Sequence, residues 1–398
     1  MAGNKISLVG VTGLVIGNLV GAGILALPIS LGLVGVVPAI ISMVIYTLMM
    51  YFTAVVISDE AAESKQELFD YPSLYKKYLG NIGKWVAIIT NAIILYGVLV
   101  AYISGGTQIL ADALGLGAHA VTVAIVFSII LVSLTVFDLS VINKYNTVLI
   151  FILFAAFIMM IVYTLPKANM AHFTTSHYEY FGLTIPLVVI AAHFHNIIPR
   201  LCADVNWDTK LLKKAMFWGM AAAFVMNLMW TICGIGCLNY NGENSIVSSY
   251  VNNMPATVPM GIILKSKLFT VLGVTFSIIA ITTSFFANGA GLQNFIKDLM
   301  FNIVKYKKMW LVRIVTFVPP VVIALLWPQI FIKALNVSSG IGIVTLFGIL
   351  PSIIAIIKKD NGKITKLFGW IFLILSVIAL ISSIGIIFHV DGFYPKFS

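Results

Sequence analysis

Long apolar runs, each closed by a short polar stretch, recur along almost the whole chain. A helix needs about 20 mostly apolar residues to cross a bilayer. On that rule the pattern predicts eleven spanning helices. They lie near residues 6–34, 37–58, 84–113, 119–138, 146–165, 183–201, 214–238, 264–296, 310–328, 330–357 and 366–390. The third, eighth and tenth are long enough to predict a tilt. Two runs are interrupted. The first reads Gly17-Asn18-Leu19-Val20-Gly21-Ala22-Gly23-Ile24-Leu25-Ala26-Leu27-Pro28, and the sixth reads His193-Phe194-His195-Asn196-Ile197-Ile198-Pro199. Irregular backbone at membrane depth is tolerated only inside protein or beside a watery cavity. Matched interruptions in two halves point to the binding site of a secondary transporter.

The eleven spans divide as five, five and one: a first repeat over 1–165, a second over 183–357, and an added span over 366–390. A five-span unit reverses direction between copies, so the halves are predicted to form an inverted repeat about an axis in the membrane plane. The fold class expected is all-α integral membrane. Two connections are longer than a turn requires. Residues 59–83 predict a short amphipathic helix around Tyr71–Tyr78, and residues 239–263 predict an outer segment, helical around Asn244–Asn253, that is either a lid or a plain connection.

Composition strengthens this picture. The 398 residues are 60% hydrophobic and only 10% charged, with mean hydropathy +1.05, so most of the chain belongs in lipid. The net charge of +10 does not predict a nucleic-acid partner, because the basic residues are scattered over short loops. They orient the chain instead. With the N-terminus in the cytoplasm, only Lys167, Lys265, Lys267, Lys333 and Lys396 of the 24 lysines and arginines fall outside. An odd number of spans then puts the C-terminus outside. Cys202, Cys233 and Cys237 read as packing residues, since the last two lie four apart on one helix and form no disulfide framework. The N-terminal run carries no convincing cleavage site and reads as a retained first span.

The candidate chemistry gathers at the interruptions. Gly13, Gly17 and Gly21 line one helix face, and Gly21-Ala22-Gly23 permits unwinding. Freed amides at the start of the outer half-helix, beside Val20, Gly21, Ala22 and Gly23, could hold an anion such as a carboxylate. A glycine packing seam without ligand is the alternative. His193, Phe194, His195 and Asn196 bring polar and titratable groups into an apolar span, where they are expensive and usually functional. A histidine there suits proton coupling, or is simply satisfied by a neighbouring helix. In the third span Tyr102 could contact substrate or bond between helices. In the eighth span Thr283 and Ser284 could coordinate Na⁺, or bond back to their own helix, and Asn288 shares a face with Ser284. No acidic residue is expected at mid-membrane; Asp112 and Asp138 fall near span ends. Enzyme signatures are absent, with no His-Glu-x-x-His, no Gly-x-Ser-x-Gly and no phosphate-binding loop.

At these residues the chain resembles the hydroxy/aromatic amino acid permease family of the amino acid–polyamine–organocation superfamily. Gly17 to Pro28 is similar to that family's Gly-x-x-x-Gly-Ala-Gly-x-Leu-Ala-x-Pro pattern, and Phe194 to Pro199 to its Phe-His-x-x-Ile-Pro pattern. The run Tyr102 to Gly106 looks like the third span of tyrosine and tryptophan carriers. The resemblance implies a LeuT-type fold in a bacterial cytoplasmic membrane. It implies import of tyrosine or tryptophan by alternating access, with protons favoured over Na⁺ and no cofactor. By position, the first-break glycines would hold the carboxylate and the second break would face the amino group. Tyr102 and Phe194 would then sit near the side chain. His195 aligns with the family histidine, whereas His193 stands where glycine is usual. The partners expected are a small amino acid and lipid, with no obligate protein. A serine or threonine symporter is the nearest rival. A passive channel, or a sensor that binds without transport, are rivals of other classes.

Overall fold

A computed structural model describes residues 7–65, 71–137, 139–303, 305 and 307–390, without the side chains of Ala22, Phe137, 139–147 and 302–303. Lys5, Asp138 and Lys396 therefore lie outside the described residues, as do the side chains of Ala22 and Lys144. Every regular element among the described residues is helical. Ten helices are long and apolar enough to cross a membrane, and a bent first pair makes an eleventh candidate. The outward faces carry exposed apolar side chains such as Phe151, Val162, Ile129 and Ile381, as a surface in contact with lipid tails requires.

The first span starts at a cap, where Ser7 Oγ accepts from the Gly10 amide. The helix Leu8–Leu19 stops at Val20 (φ −88°, ψ 64°) and Gly21 runs extended. A single 3₁₀ turn, Ala22–Ala26, leads into the helix Leu27–Gly32, which carries Pro28 in its first turn. A proline there cannot donate to the preceding turn, which is where an unbroken helix would need it. The two halves meet at 47°. The sixth span repeats this plan: helix Ile185–Ala191, a break through His193 and Phe194, the 3₁₀ turn His195–Ile197, and helix Ile198–Asp204 with Pro199 in its first turn.

The remaining spans are Val36–Ser64, Tyr71–Ala113, Ala120–Phe137, Leu139–Thr164, Thr209–Cys237, Lys267–Asp298, Met309–Leu326, the tenth from Phe331 to Ile357, and Lys363–Ile387. The amphipathic helix expected near Tyr71 is present but runs on into the third span through Gly80 (φ 63°, ψ −153°), a conformation open only to glycine. Gly35 (φ 83°) makes the turn between the first two spans, and any Cβ there would sit 2.1 Å from the Thr175 carbonyl oxygen. The tenth span widens into a π-helical stretch over Ser338–Ile349.

The contacts between spans form exchangeable pairs. The first packs on the seventh as the sixth packs on the second; the third packs on the tenth as the eighth packs on the fifth; and the third and eighth pack on each other. Glycines bring the third and tenth together. A Cβ on Gly97 would strike Ser338, and one on Gly342 would strike Ile94.

The segment 239–263, expected outside, contains the helix Ile246–Val251 and most of the helix Thr257–Leu264. It covers the second half of the first span: the Ala256 amide donates to the Leu25 carbonyl, and Ile246 packs where Gly32 has no side chain. All three cysteines are free and buried, as expected of packing residues.

Candidate functional site between two broken helices

A cavity of about 390 Å³ joins the two breaks. Gly17, Asn18, Gly21 and Gly23 of the first span form one side, and His193, Asn196 and Ile197 of the sixth form another. Tyr102 of the third span and Thr283, Ser284 and Asn288 of the eighth close the rest, over an apolar floor of Ile94, Val98 and Ile343. The cavity runs out to Gly13, Arg200 and Asp204, and Arg200, 86% exposed, marks its mouth. At the opposite end Ile24 to Ile29 are almost fully buried, so the site is closed there.

The first break supplies amide donors. The amides of Gly21 and Gly23 have no backbone acceptor among the described residues, and they stand at the start of the second half of the span. Gly21 faces the eighth span, where a Cβ would lie 3.1 Å from Ser284 Oγ. Gly23 faces the sixth, where a Cβ would meet Ile190 Cγ2 at 3.5 Å. The absent side chains therefore leave the backbone open to a ligand. Asn288 donates to the Ser284 carbonyl (2.9 Å) and to the Tyr102 hydroxyl (3.4 Å), tying the third span to the eighth. Thr283 donates instead to Ile279 O of its own helix (2.8 Å). Of the proposed pair, Ser284 is thus the hydroxyl set against the first break.

The histidines part company. His193 lines the cavity, with Phe347 against its ring (centroids 4.9 Å), and its Nε2 has no partner among the described residues. His195 is fully buried and turns to the second span, where its Nε2 lies 3.0 Å from Thr53 Oγ1. Thr53 can donate to the Met50 carbonyl (3.1 Å). If it does, His195 Nε2 carries the proton and Nδ1 is a bare acceptor. The Tyr71 hydroxyl donates to the His195 carbonyl, which fixes this turn against the amphipathic helix.

These placements correct part of the expected contact set. Phe194 and His195 are wholly buried and Val20 is 3% exposed; none lines the cavity. Phe194 leaves helical geometry (φ −143°, ψ 13°), so no helical period sets side-chain direction there, and of the run His193 to Asn196 only His193 and Asn196 line the cavity. Gly21, Gly23, Tyr102, His193, Asn196, Thr283, Ser284 and Asn288 do come together. Sequence reasoning left out Asn18, Ile94, Val98, Ile343, Arg200 and Asp204. The four-residue steps from Ile94 to Val98 to Tyr102, and from Arg200 to Asp204, carried the signal. The Thr53, Tyr71 and Phe347 setting had none, being made across distant spans. Among the described residues no group of histidines, cysteines and carboxylates is arranged to hold a metal.

A family model described as the tryptophan/tyrosine permease family matches residues 4–389. The chain is 29% identical to a Haemophilus influenzae protein named tyrosine-specific transport system 1, over 82% of each chain. It is 25% identical to the low affinity tryptophan permease of Escherichia coli K12, over 96% of this chain and 95% of the relative. Among solved structures it resembles the Eremococcus coleocola manganese transporter, with TM-score 0.60 and 14% identity over 97% of this chain and 88% of that one. That likeness concerns the fold alone.

Proposed function

The chain belongs to the tryptophan/tyrosine permease family, a family of multi-pass membrane transporters rather than enzymes, and on that premise we propose that it imports tyrosine or tryptophan across a bacterial cytoplasmic membrane by ion-coupled alternating access. The observation that carries this reading is the single cavity that joins both helix breaks to Tyr102, Ser284 and Asn288. In it the substrate carboxylate meets the amides of Gly21 and Gly23, where the outer half-helix presents its positive end. The ammonium group faces the second break near Asn196. The ring lies over Ile94, Val98 and Ile343, between Tyr102 and His193.

The mouth at Arg200 lies at the end of the bundle that holds the N-terminal end of the first span, which positive-inside counting puts in the cytoplasm. The conformation is therefore the inward-facing one, with the outer segment seated over the first span. The paired contacts between spans support two inverted five-span repeats, 1–165 and 183–357, with 366–390 added. Alternating access is then a rocking of the first, second, sixth and seventh spans against the third and eighth. Protons are the favoured driving ion, and His193 is the titratable group that the second break places against the cavity, with Asp204 nearer the mouth.

A sodium-coupled reading keeps one specific support, the approach of Ser284 Oγ to the bare backbone of Gly21. Uptake of radiolabelled tyrosine into proteoliposomes separates the two, with an inward proton or sodium gradient imposed in turn and tryptophan and serine as competitors. Proton-driven accumulation blocked by tryptophan is expected. Competition by serine rather than tryptophan would assign a hydroxy amino acid carrier, and absence of accumulation under both gradients would overturn the transporter reading.

A further inference from the structure

A second cavity, of about 440 Å³, lies at the opposite end of the bundle from Arg200, among the third, ninth, tenth and eleventh spans and the outer segment. No residue of either break lines it. Ile93, Tyr96, Gly97 and Val100 form one wall, spaced as a single apolar face of the third span. Two polar side chains of the tenth span interrupt the apolar lining. Asn336 is 4% exposed, and its Oδ1 has no partner among the described residues. Lys333, three residues earlier and so on the same face, is exposed at the rim, and its backbone amide is held by Asn253 Oδ1 at 3.0 Å. No carboxylate lines the cavity, and no acidic side chain pairs with Lys333 among the described residues.

These features select an occupant. The walls require an apolar body, Lys333 requires an anion, and the orphaned oxygen of Asn336 requires a hydrogen-bond donor. Neighbouring side chains on the ninth and eleventh spans, Val322, Leu326, Ile384 and Phe388, are apolar and exposed, so the bilayer is the adjoining phase. A lysine at the rim of an apolar pocket at the membrane surface attracts an anionic lipid head group. We propose that this cavity binds an anionic phospholipid whose head group bears a free hydroxyl. Its acyl chain lies along the third-span face, its phosphate on Lys333, and its hydroxyl on Asn336. The site adjoins Val337 and Ser338, where the tenth span passes from α to π geometry and Ser338 seats against Gly97. A lipid bound there braces the third and tenth spans where they meet most closely.

The test uses the full chain, delipidated in neutral detergent and titrated with phosphatidylglycerol or phosphatidylcholine while thermal unfolding is followed. Phosphatidylglycerol should raise the melting temperature saturably and phosphatidylcholine should not. Lys333→Gln should weaken that response about fivefold, the scale of one basic residue at an anionic membrane surface. Asn336→Leu should weaken it with no loss of the starting melting temperature, because it removes an unpaired polar group. Lys265→Gln, at the same end but outside the cavity, should leave the response intact. Equal stabilisation by the two lipids, or an equal loss with Lys265→Gln, would overturn the proposal. So would stabilisation by free tyrosine that Lys333→Gln abolishes, which would assign the cavity to an amino acid. None of these readouts depends on transport, so the site stands or falls apart from the proposed function.

Discussion

Replacing Gly21 by alanine tests the carboxylate site with little risk to the fold. Gly21 has φ −105° and ψ −167°, extended backbone that alanine also adopts, so no backbone strain accompanies the change. The new methyl would stand 3.1 Å from Ser284 Oγ and 3.7 Å from the Asn18 carbonyl oxygen. The serine must give by a few tenths of an ångström, and the methyl occupies space that a carboxylate needs to reach the amides. A hydrogen bond to a charged group contributes about 1.5–3 kcal/mol. Loss of one such bond raises the apparent KM for tyrosine by roughly 10- to 150-fold, at about 1.4 kcal/mol per factor of ten. Gly23→Ala is the matched comparison. Its methyl meets Ile190 Cγ2 at an ordinary 3.5 Å, so a change in KM below about threefold is expected, whereas Gly23→Leu drives into Ile190 and the sixth span and should abolish uptake. The assay is initial-rate tyrosine uptake in proteoliposomes, normalised to the protein reconstituted. A wild-type KM for Gly21→Ala would refute the argument, as would equal damage from the two alanines.

Three further outcomes follow from the same geometry. His193→Ala should flatten the pH profile of uptake, whereas Thr53→Val, which strips His195 of its partner, should lower thermal stability by about 1 kcal/mol and leave that profile alone; the reverse pattern would return proton coupling to His195. Ser284→Ala should impair uptake far more than Thr283→Ala, because only Ser284 is set against Gly21; comparable losses would mean that both hydroxyls serve packing. Glu60, 2% exposed, binds Lys358 Nζ (2.7 Å), Lys77 Nζ (3.2 Å) and the Tyr78 hydroxyl (2.8 Å), and Lys358 also pairs with Glu63. Burial alone would lower the Lys358 pKa, but the Glu60 and Glu63 carboxylates override it and raise it, so the ammonium stays charged. Glu60→Gln should destabilise by about 3 kcal/mol, since it leaves a mostly buried cation short of one counter-charge, and Lys358→Met in that background should add little; additive losses in the double variant would show that no shared network exists.

The spans, their number and both breaks were legible in the sequence because their causes are local. A bilayer sets the length of an apolar run, and a proline, which cannot donate to the preceding turn, favours the first turn of a helix. Pro28 and Pro199 each open a half-helix after one 3₁₀ turn, so even the likeness of the two breaks was written along the chain. Tertiary structure decided which side chains at each break meet the cavity. His193 and His195 are two residues apart and equally polar on paper, yet one borders the cavity and the other is sealed against Thr53, 142 positions away. That division depends on the irregular backbone at Phe194, where no helical period predicts direction, and on a partner supplied by another span. Glu60 follows the same rule: the sequence puts it near the end of an apolar run, and only the approach of Lys358, 298 residues on, lets a carboxylate remain buried. Local chemistry fixes where a chain must cross or break, while the fate of a polar group depends on what distant segments bring to it, since a buried charge or hydrogen-bonding atom persists only when it is matched.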